Sequence, residues 1–156
     1  MEKTNVMRLL DGQKISYHAY TYPVGETAPS GVEVAKMLGQ DPTHVFKTLV
    51  TISSSRKNYV FVIPVQEELS LKKAAQAVHE KSIEMLKSKD LLPLTGYIHG
   101  GCSPIGMKKL FPTVIDETVL LCDSILFSAG KVGYQVELTP EDLKKMIPYE
   151  VADVTV

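Results

Sequence analysis

One ten-residue stretch, Gly100-Gly101-Cys102-Ser103-Pro104-Ile105-Gly106-Met107-Lys108-Lys109, constrains the fold more than any other part of the chain. Its three glycines and its proline disfavour a regular helix or a central strand over these residues. Glycine is used where the backbone takes a positive φ or approaches a ligand closely, and consecutive glycines expose N–H groups that can hold a carbonyl or phosphate oxygen. The stretch therefore predicts a backbone-lined binding loop, which Pro104 stiffens.

A second unusual feature is a single cation inside an apolar, β-rich run. Lys47 lies in the segment Val45-Phe46-Lys47-Thr48-Leu49-Val50-Thr51-Ile52. An ammonium in a buried strand must be paired, reach solvent or lie in a lined pocket. Taken alone, Lys47 is typical of an edge-strand lysine that blocks aggregation.

The composition predicts one soluble domain over residues 1–156. A chain of 156 residues with 44% hydrophobic content can build its own core, and a formal charge of −1 argues against a general nucleic-acid coat protein. Cys102 and Cys122 are too few for a zinc site or a disulfide framework. No apolar leader or membrane-length stretch is present, so we expect a cytoplasmic protein with no membrane partner.

Short β-rich runs outnumber the helical patterns. Residues 46–53 and 58–64 predict a hairpin, and shorter strands are expected at 114–116, 124–129 and 134–138. Thr4, Ser30, Ser70 and Thr139 are placed to cap helices, and residues 88–92 suggest a helical turn. Ser30 and Glu33 have the spacing of a capping box, and Gly39 is placed to close the helix that Ser30 starts. This order predicts an α+β fold with a mixed, largely antiparallel sheet and helices packed outside it.

Several common catalytic motifs are absent. Gly96 to Gly101 has the spacing of a phosphate loop, but Cys102 stands where that motif requires lysine. Ser103 lacks the G-x-S-x-G setting of a nucleophile elbow. Cys102 with His99 forms a possible nucleophile pair, although a small packing residue beside a surface histidine is the interpretation we favour.

Three motifs in order resemble the YbaK/EbsC family of free-standing aminoacyl-tRNA editing domains, which is related to the editing domain of prolyl-tRNA synthetase. They are Val45-Phe46-Lys47-Thr48-Leu49, the stretch Gly100 to Lys109, and Phe127-Ser128-Ala129-Gly130-Lys131-Val132-Gly133-Tyr134-Gln135-Val136-Glu137-Leu138. The resemblance implies a strongly curved mixed sheet, close to an incomplete barrel, whose mouth holds the aminoacyl end of a tRNA.

The resemblance also implies a reaction. Similar proteins remove cysteine from Cys-tRNA(Pro), with Cys-tRNA(Cys) as a further substrate, by a route in which the substrate thiol attacks the ester carbonyl and leaves as a cyclic thiolactone. No metal, nucleotide or other cofactor is implied. The implied partners are the 3′ end of aminoacyl-tRNA and a prolyl-tRNA synthetase, with no DNA, and the expected state is a monomer or a weak homodimer.

Site residues follow by position. The implied catalytic residues are Lys47, Gly100 and Gly101, with Lys47 acting on the ribose, a phosphate or the carbonyl and the glycine N–H groups stabilising the oxyanion. The residues implied to bind substrate are Tyr20, Thr48, Ser103, Pro104 and Ser128. The chain departs from the family pattern at Val132, where arginine or another polar residue is frequent, and the segment from Tyr22 to Pro29 is too variable to align.

Two other functions remain open at this point. One is deacylation of Ala-tRNA or of another small aminoacyl group. The other is a tRNA-binding or protein-binding module that keeps the fold without catalysis. The presence of both Lys47 and the glycine loop argues against that loss of catalysis.

Overall fold

The computed structural model of the protein describes residues 1–156. It is an α+β domain with five α-helices, eight strands and one 3₁₀-helix (Glu117–Leu121). In chain order the elements are α1 (Asn5–Gly12), β1 (His18–Thr21), α2 (Gly31–Leu38), β2 (Phe46–Ser53), β3 (Asn58–Pro64), α3 (Leu71–Ala77), β4 (Ile83–Met85), α4 (Ser88–Thr95), β5 (Thr113–Asp116), β6 (Ile125–Ser128), β7 (Tyr134–Leu138), α5 (Pro140–Met146) and β8 (Glu150–Ala152). None of the helices has the length and apolar character needed to cross a bilayer.

The strands form two sheets. The larger sheet has the order β4-β2-β3-β5-β8 and the smaller one β1-β7-β6. Pairing is antiparallel except where β5 runs parallel to β3 and to β8, so the predicted mixed, largely antiparallel arrangement is confirmed. The incomplete barrel is not confirmed, because the two sheets are joined through a single bridge between Val45 and Leu126.

The predicted hairpin of β2 and β3 lies at the centre of the larger sheet. Its register places Lys47 opposite Ile63 and Thr48 opposite Val62. One face of the hairpin contributes Val50 and other side chains to the main core, and the opposite face packs with α3 in a second cluster. Burial on both faces explains why these strands read as continuous apolar runs.

The helix ends follow the sequence signals. The side chain of Ser30 accepts a hydrogen bond from the Glu33 amide, and the Glu33 carboxylate accepts one from the Ser30 amide, which completes a capping box. Gly39 then ends α2 with a φ of 64°, a conformation that costs glycine little. These caps fix α2, whose first residues border the cleft described next.

Candidate active site

A cleft of about 500 Å³ runs along an open stretch of β2. The strand β4 pairs with β2 only from Thr51 to Ser53, and the bridge to the smaller sheet begins at Val45. Residues 47–49 therefore have a strand neighbour on one side only, and all three line the cleft. The rest of the wall comes from the start of α2, the region from β4 to α4, the glycine loop and the adjoining ends of β6 and β7.

Lys47 is an unpaired cation in this wall. Its side chain is partly buried, and the four ion pairs of the chain do not include it. Burial lowers the pKa of Lys47 from its usual value, and the charges of Glu68 and Glu67 act in the opposite direction. An ammonium that is partly desolvated without a close partner is suited to bind an anionic or electron-rich group of a ligand.

Thr48 presents a hydroxyl group that lacks an internal partner. Its Oγ1 is the only buried side-chain oxygen or nitrogen in the protein without a hydrogen-bond partner. Alternation along the strand points Thr48 and Lys47 to opposite faces of β2, so the cleft wraps around the open edge of this strand. A buried, unsatisfied hydroxyl costs about 1–3 kcal/mol, and a ligand that bonds to it would remove that cost.

The double glycine forms a tight turn at the mouth of the cleft. Gly100 has a φ of 86°, and the Gly101 amide donates to the carbonyl of Ile98 at 3.0 Å. The amide of Gly100 has no acceptor within the chain, and Gly100 lines the cleft. A Cβ on Gly100 would lie 2.7 Å from the Cβ of Ala28, so a larger residue does not fit. Of the two predicted oxyanion donors, Gly100 is the one with a free N–H.

Val132 packs over this turn. A Cβ on Gly101 would come within 3.1 Å of the Val132 nitrogen and 3.4 Å of its Cγ2. The residue at which the sequence departs from the family pattern is thus a direct neighbour of the double glycine. An apolar side chain there covers the turn without offering a charge.

Cys102 and His99 both line the cleft, but they do not form an activated pair. Burial raises the pKa of the Cys102 thiol to about 12. His99 is exposed, so its ring is not held against Cys102 by burial. The thiol is therefore protonated at neutral pH, and a protonated thiol is a poor nucleophile.

Of the other predicted site residues, some line the cleft and some lie elsewhere. Ser128 lines the cleft, and its Oγ accepts a hydrogen bond from the Gly130 amide at 3.2 Å. Ser103 is fully buried, with its Oγ accepting from the Ile105 amide at 3.3 Å. Pro104 lines a separate pocket of about 150 Å³.

Tyr20 also lies outside the lining of the cleft. Its hydroxyl donates to Oε1 of Glu137 at 2.8 Å, whereas Tyr22, two residues further along, does line the cleft. The cleft thus brings together Lys47, Thr48, Gly100 and Ser128. The binding roles of Tyr20, Ser103 and Pro104 stay predictions, and the observed contacts of these side chains are with the protein itself.

Several cleft residues were not predicted as site residues, although Phe46, Phe127, Tyr134 and Gln135 stand within the motifs that carry the family resemblance. Gln135 is 3% exposed, and its amide exchanges two hydrogen bonds with Gln40, at 2.7 and 3.0 Å. These partners are 95 residues apart, so no local pattern could have paired them. The apolar part of the lining includes Phe46, Val50, Met85, Leu86, Leu91, Phe127 and Tyr134. No group of three or more histidine, cysteine, aspartate or glutamate side chains is arranged to hold a metal ion.

The fold and the cleft together define a class of protein. This is a single α+β domain whose cleft offers an unpaired cation, an unpaired hydroxyl and a free backbone N–H, without an activated nucleophile. A family model described as an aminoacyl-tRNA editing domain matches residues 26–146, and the chain belongs to this family.

Relatives agree with this assignment. The chain is 45% identical over 154 residues to EbsC of Enterococcus faecalis, a protein named as a candidate Cys-tRNA(Pro)/Cys-tRNA(Cys) deacylase, with 99% of this chain and 94% of the relative covered. A crystal structure of a candidate trans-editing protein for prolyl-tRNA synthetase is similar with a TM-score of 0.83, at 21% identity over 99% of both chains. A protein described as hypothetical has a TM-score of 0.85 at 20% identity, covering 98% of this chain and all of that one. The two structures support the fold alone.

The unpaired hydroxyl leads to the first prediction. We expect Thr48→Val to raise the free energy of unfolding by about 1 kcal/mol, because it removes a buried, unsatisfied oxygen at constant shape, and to weaken ligand binding about tenfold. Chemical denaturation and binding of a substrate analogue would measure the two effects. Thr51→Val is the matched control, since Thr51 is fully buried in the same strand but its Oγ1 donates to the Tyr59 carbonyl at 2.9 Å. The free energy of unfolding of Thr51→Val should fall by about 1–3 kcal/mol, and its affinity for the substrate analogue should not change. A Thr48→Val protein with unchanged affinity for the analogue would contradict a role of the Thr48 hydroxyl in binding.

Proposed function

We propose that the domain, over residues 1–156, edits misacylated tRNA in trans by deacylating Cys-tRNA(Pro), with Cys-tRNA(Cys) as a further substrate. One observation carries the proposal: the cleft supplies unpaired groups for binding but no activated nucleophile of its own. A substrate that brings its own thiol fits such a site. The relative that is 45% identical bears the name of a deacylase for these same two tRNAs.

The groups in the cleft suggest how the aminoacyl end binds. The ammonium of Lys47 would contact a phosphate or the terminal ribose, and Oγ1 of Thr48 would hydrogen-bond to a polar group of the same nucleotide. The free amide of Gly100 would donate to the ester carbonyl oxygen. The apolar lining, which includes Phe127 and Tyr134, would receive the cysteine side chain.

The reaction needs little further machinery. The substrate thiol loses its proton to water and attacks the ester carbonyl carbon, which forms a C–S bond and a tetrahedral oxyanion. Gly100 N–H stabilises that oxyanion. Collapse breaks the bond between the carbonyl carbon and the ribose oxygen, and the ribose oxygen takes up a proton. The products are a cyclic thiolactone, which hydrolyses to cysteine, and tRNA with a free 3′ end.

Release from a panel of charged tRNAs tests the proposal. The purified protein would be mixed, with EDTA present, with proline tRNA charged with cysteine, alanine, serine or proline. We expect release of cysteine to be the fastest by a wide margin. Brisk release of alanine with none of cysteine would indicate a deacylase for small aminoacyl groups, and no release from any tRNA would indicate a binding module. A strong requirement for metal would contradict the chemistry.

We further propose that a prolyl-tRNA synthetase in the cytoplasm supplies the mischarged tRNA, and that the protein itself is a monomer or a weak homodimer. The cations in or beside the glycine loop are Lys108, Lys109 and Lys131, and only Lys108 has neither an ion pair nor an aromatic ring beside it. Lys131 is paired with Glu2 at 2.8 Å, and Lys109 lies 5.9 Å from the ring centroid of Phe111. With a net charge of −1, the chain lacks a general attraction for nucleic acid.

The second prediction follows from this charge distribution. We expect the isolated protein to bind tRNA weakly, with a slope of log K against log salt concentration no steeper than about −3, because each neutralised phosphate contributes about −0.7 to −0.9. A salt titration followed by fluorescence anisotropy would measure the slope. Adding prolyl-tRNA synthetase should lower the apparent Kd. Tight binding to tRNA alone with a steep slope would contradict the need for a partner.

A further inference from the structure

Tyr97 makes hydrogen bonds to both ends of a loop that borders the cleft. The residue is 9% exposed, its amide donates to Oγ1 of Thr95 at 3.1 Å, and its hydroxyl donates to the carbonyl of Ile105, eight residues along the chain. The backbone between these two points contains the double-glycine turn. The Tyr97 side chain therefore closes the loop that presents the free amide of Gly100.

The same ring also contacts the turn that carries Ser128. A Cβ on Gly106, where φ is 82°, would lie 2.8 Å from the Tyr97 hydroxyl oxygen, and a Cβ on Gly130, where φ is 90°, would lie 2.9 Å from its Cε1. Both glycines are thus needed for the ring to fit. Gly130 in turn donates its amide to the Ser128 side chain in the cleft.

We propose that Tyr97 is a positioning residue for deacylation, fixing the Gly100 donor and the Ser128 turn relative to each other through one ring and one hydrogen bond. This inference rests on the proposed function, since it assigns a role within the same cleft. Tyr97 itself does not line the cleft and does not touch the substrate. Its effect passes through the backbone, where a displacement of about 1 Å can cost about 100-fold in rate.

Because Tyr97 is buried, its hydroxyl group stays neutral and serves as a hydrogen-bond donor. It raises the pKa of Tyr97 to about 12, with a further contribution from Cys102, so the hydroxyl keeps its proton at the pH of any deacylation assay. A tyrosine in this state donates a hydrogen bond and does not act as a general base. The predicted role is therefore independent of pH in the neutral range.

The test compares Tyr97→Phe with Tyr59→Phe. Tyr59 is the matched control because it is 8% exposed, donates its hydroxyl to Oε2 of Glu80 at 2.6 Å and does not line the cleft. Each change removes one hydroxyl from one largely buried tyrosine. With Cys-tRNA(Pro) as substrate, we expect Tyr97→Phe to lower kcat about tenfold or more with KM changed less than about threefold, and Tyr59→Phe to keep kcat within about twofold.

Equal kcat values for folded Tyr97→Phe and Tyr59→Phe would overturn the proposal. Such a result would mean that the Tyr97 hydroxyl contributes no more to the reaction than that of a tyrosine outside the cleft. If the wild-type protein releases no amino acid from any charged tRNA, the proposed function fails, and hydrogen exchange then decides the inference. Amide hydrogen exchange in the wild-type protein also tests the proposal if Tyr97→Phe does not fold. A held loop requires the amides of Gly101 and Ile105 to exchange as slowly as those of β7. Exchange as fast as in the hairpin turn at residues 54–57 would overturn the proposal.

Discussion

Replacing Lys47 by alanine is expected to lower the rate of Cys-tRNA(Pro) deacylation by about 100-fold or more, since preorganised charges in a cleft contribute on that scale. The melting temperature should stay within a few degrees of the wild type. The ammonium is partly buried and makes no ion pair, so its removal leaves no buried partner unsatisfied. Single-turnover deacylation and a thermal melt measure the two quantities.

Two further variants sharpen this result. Lys47→Arg should also be slow, because a planar guanidinium does not replace a compact ammonium in a confined site. Lys73→Ala is the control for loss of a lysine elsewhere, since its Nζ is paired with Asp153 at 3.0 Å away from the cleft. A folded Lys47→Ala protein with a nearly wild-type rate would show that Lys47 only protects an open strand edge.

Removing the sulfur from the substrate is expected to slow release by about 100-fold or more, because the intramolecular attack would lose its nucleophile. Serine or alanine on the same proline tRNA provides this comparison. By contrast, Cys102→Ala should keep at least about a third of the rate, since it alters only a side chain whose thiol is protonated at neutral pH and leaves the loop backbone in place. Release of the labelled amino acid measures both.

The opposite pattern would identify Cys102 as the nucleophile. In that case the folded Cys102→Ala protein would be inactive, release would no longer depend on a substrate thiol, and a thioester would be trapped on Cys102 in the wild-type protein. Mass spectrometry of the quenched reaction would detect that adduct. This outcome would replace the mechanism and keep the deacylase assignment.

Features that depend on near neighbours in the chain were predictable. The capping box at Ser30, the left-handed Gly39 and the hairpin between β2 and β3 each follow from residues a few positions apart, and all three are confirmed. The extent of α4 was less predictable. The sequence suggests a helical turn over residues 88–92, whereas the helix continues through Pro93 to Thr95 and packs Leu91 and Leu94 against the main core.

The site was predictable only in part. Motif positions identified Lys47, Thr48, Gly100 and Ser128, which lie in one cleft. They did not reveal which groups already have partners within the protein. Gly101 donates to the Ile98 carbonyl and Ser103 accepts from the Ile105 amide, and both contacts depend on the exact course of the loop.

By itself, the sequence determined the family, the α+β class and the stretch of glycines that must form a loop, because composition, motif order and local turn chemistry are properties of neighbouring residues. The tertiary structure decided the division into two sheets, the open stretch of β2 between them and the contacts between distant residues. Examples are the packing of Tyr97 against Gly130 and the hydrogen bonds between Gln40 and Gln135. Such contacts arise only when strands far apart in the chain pack together, and they decide which polar groups are satisfied by the protein and which remain free for a ligand.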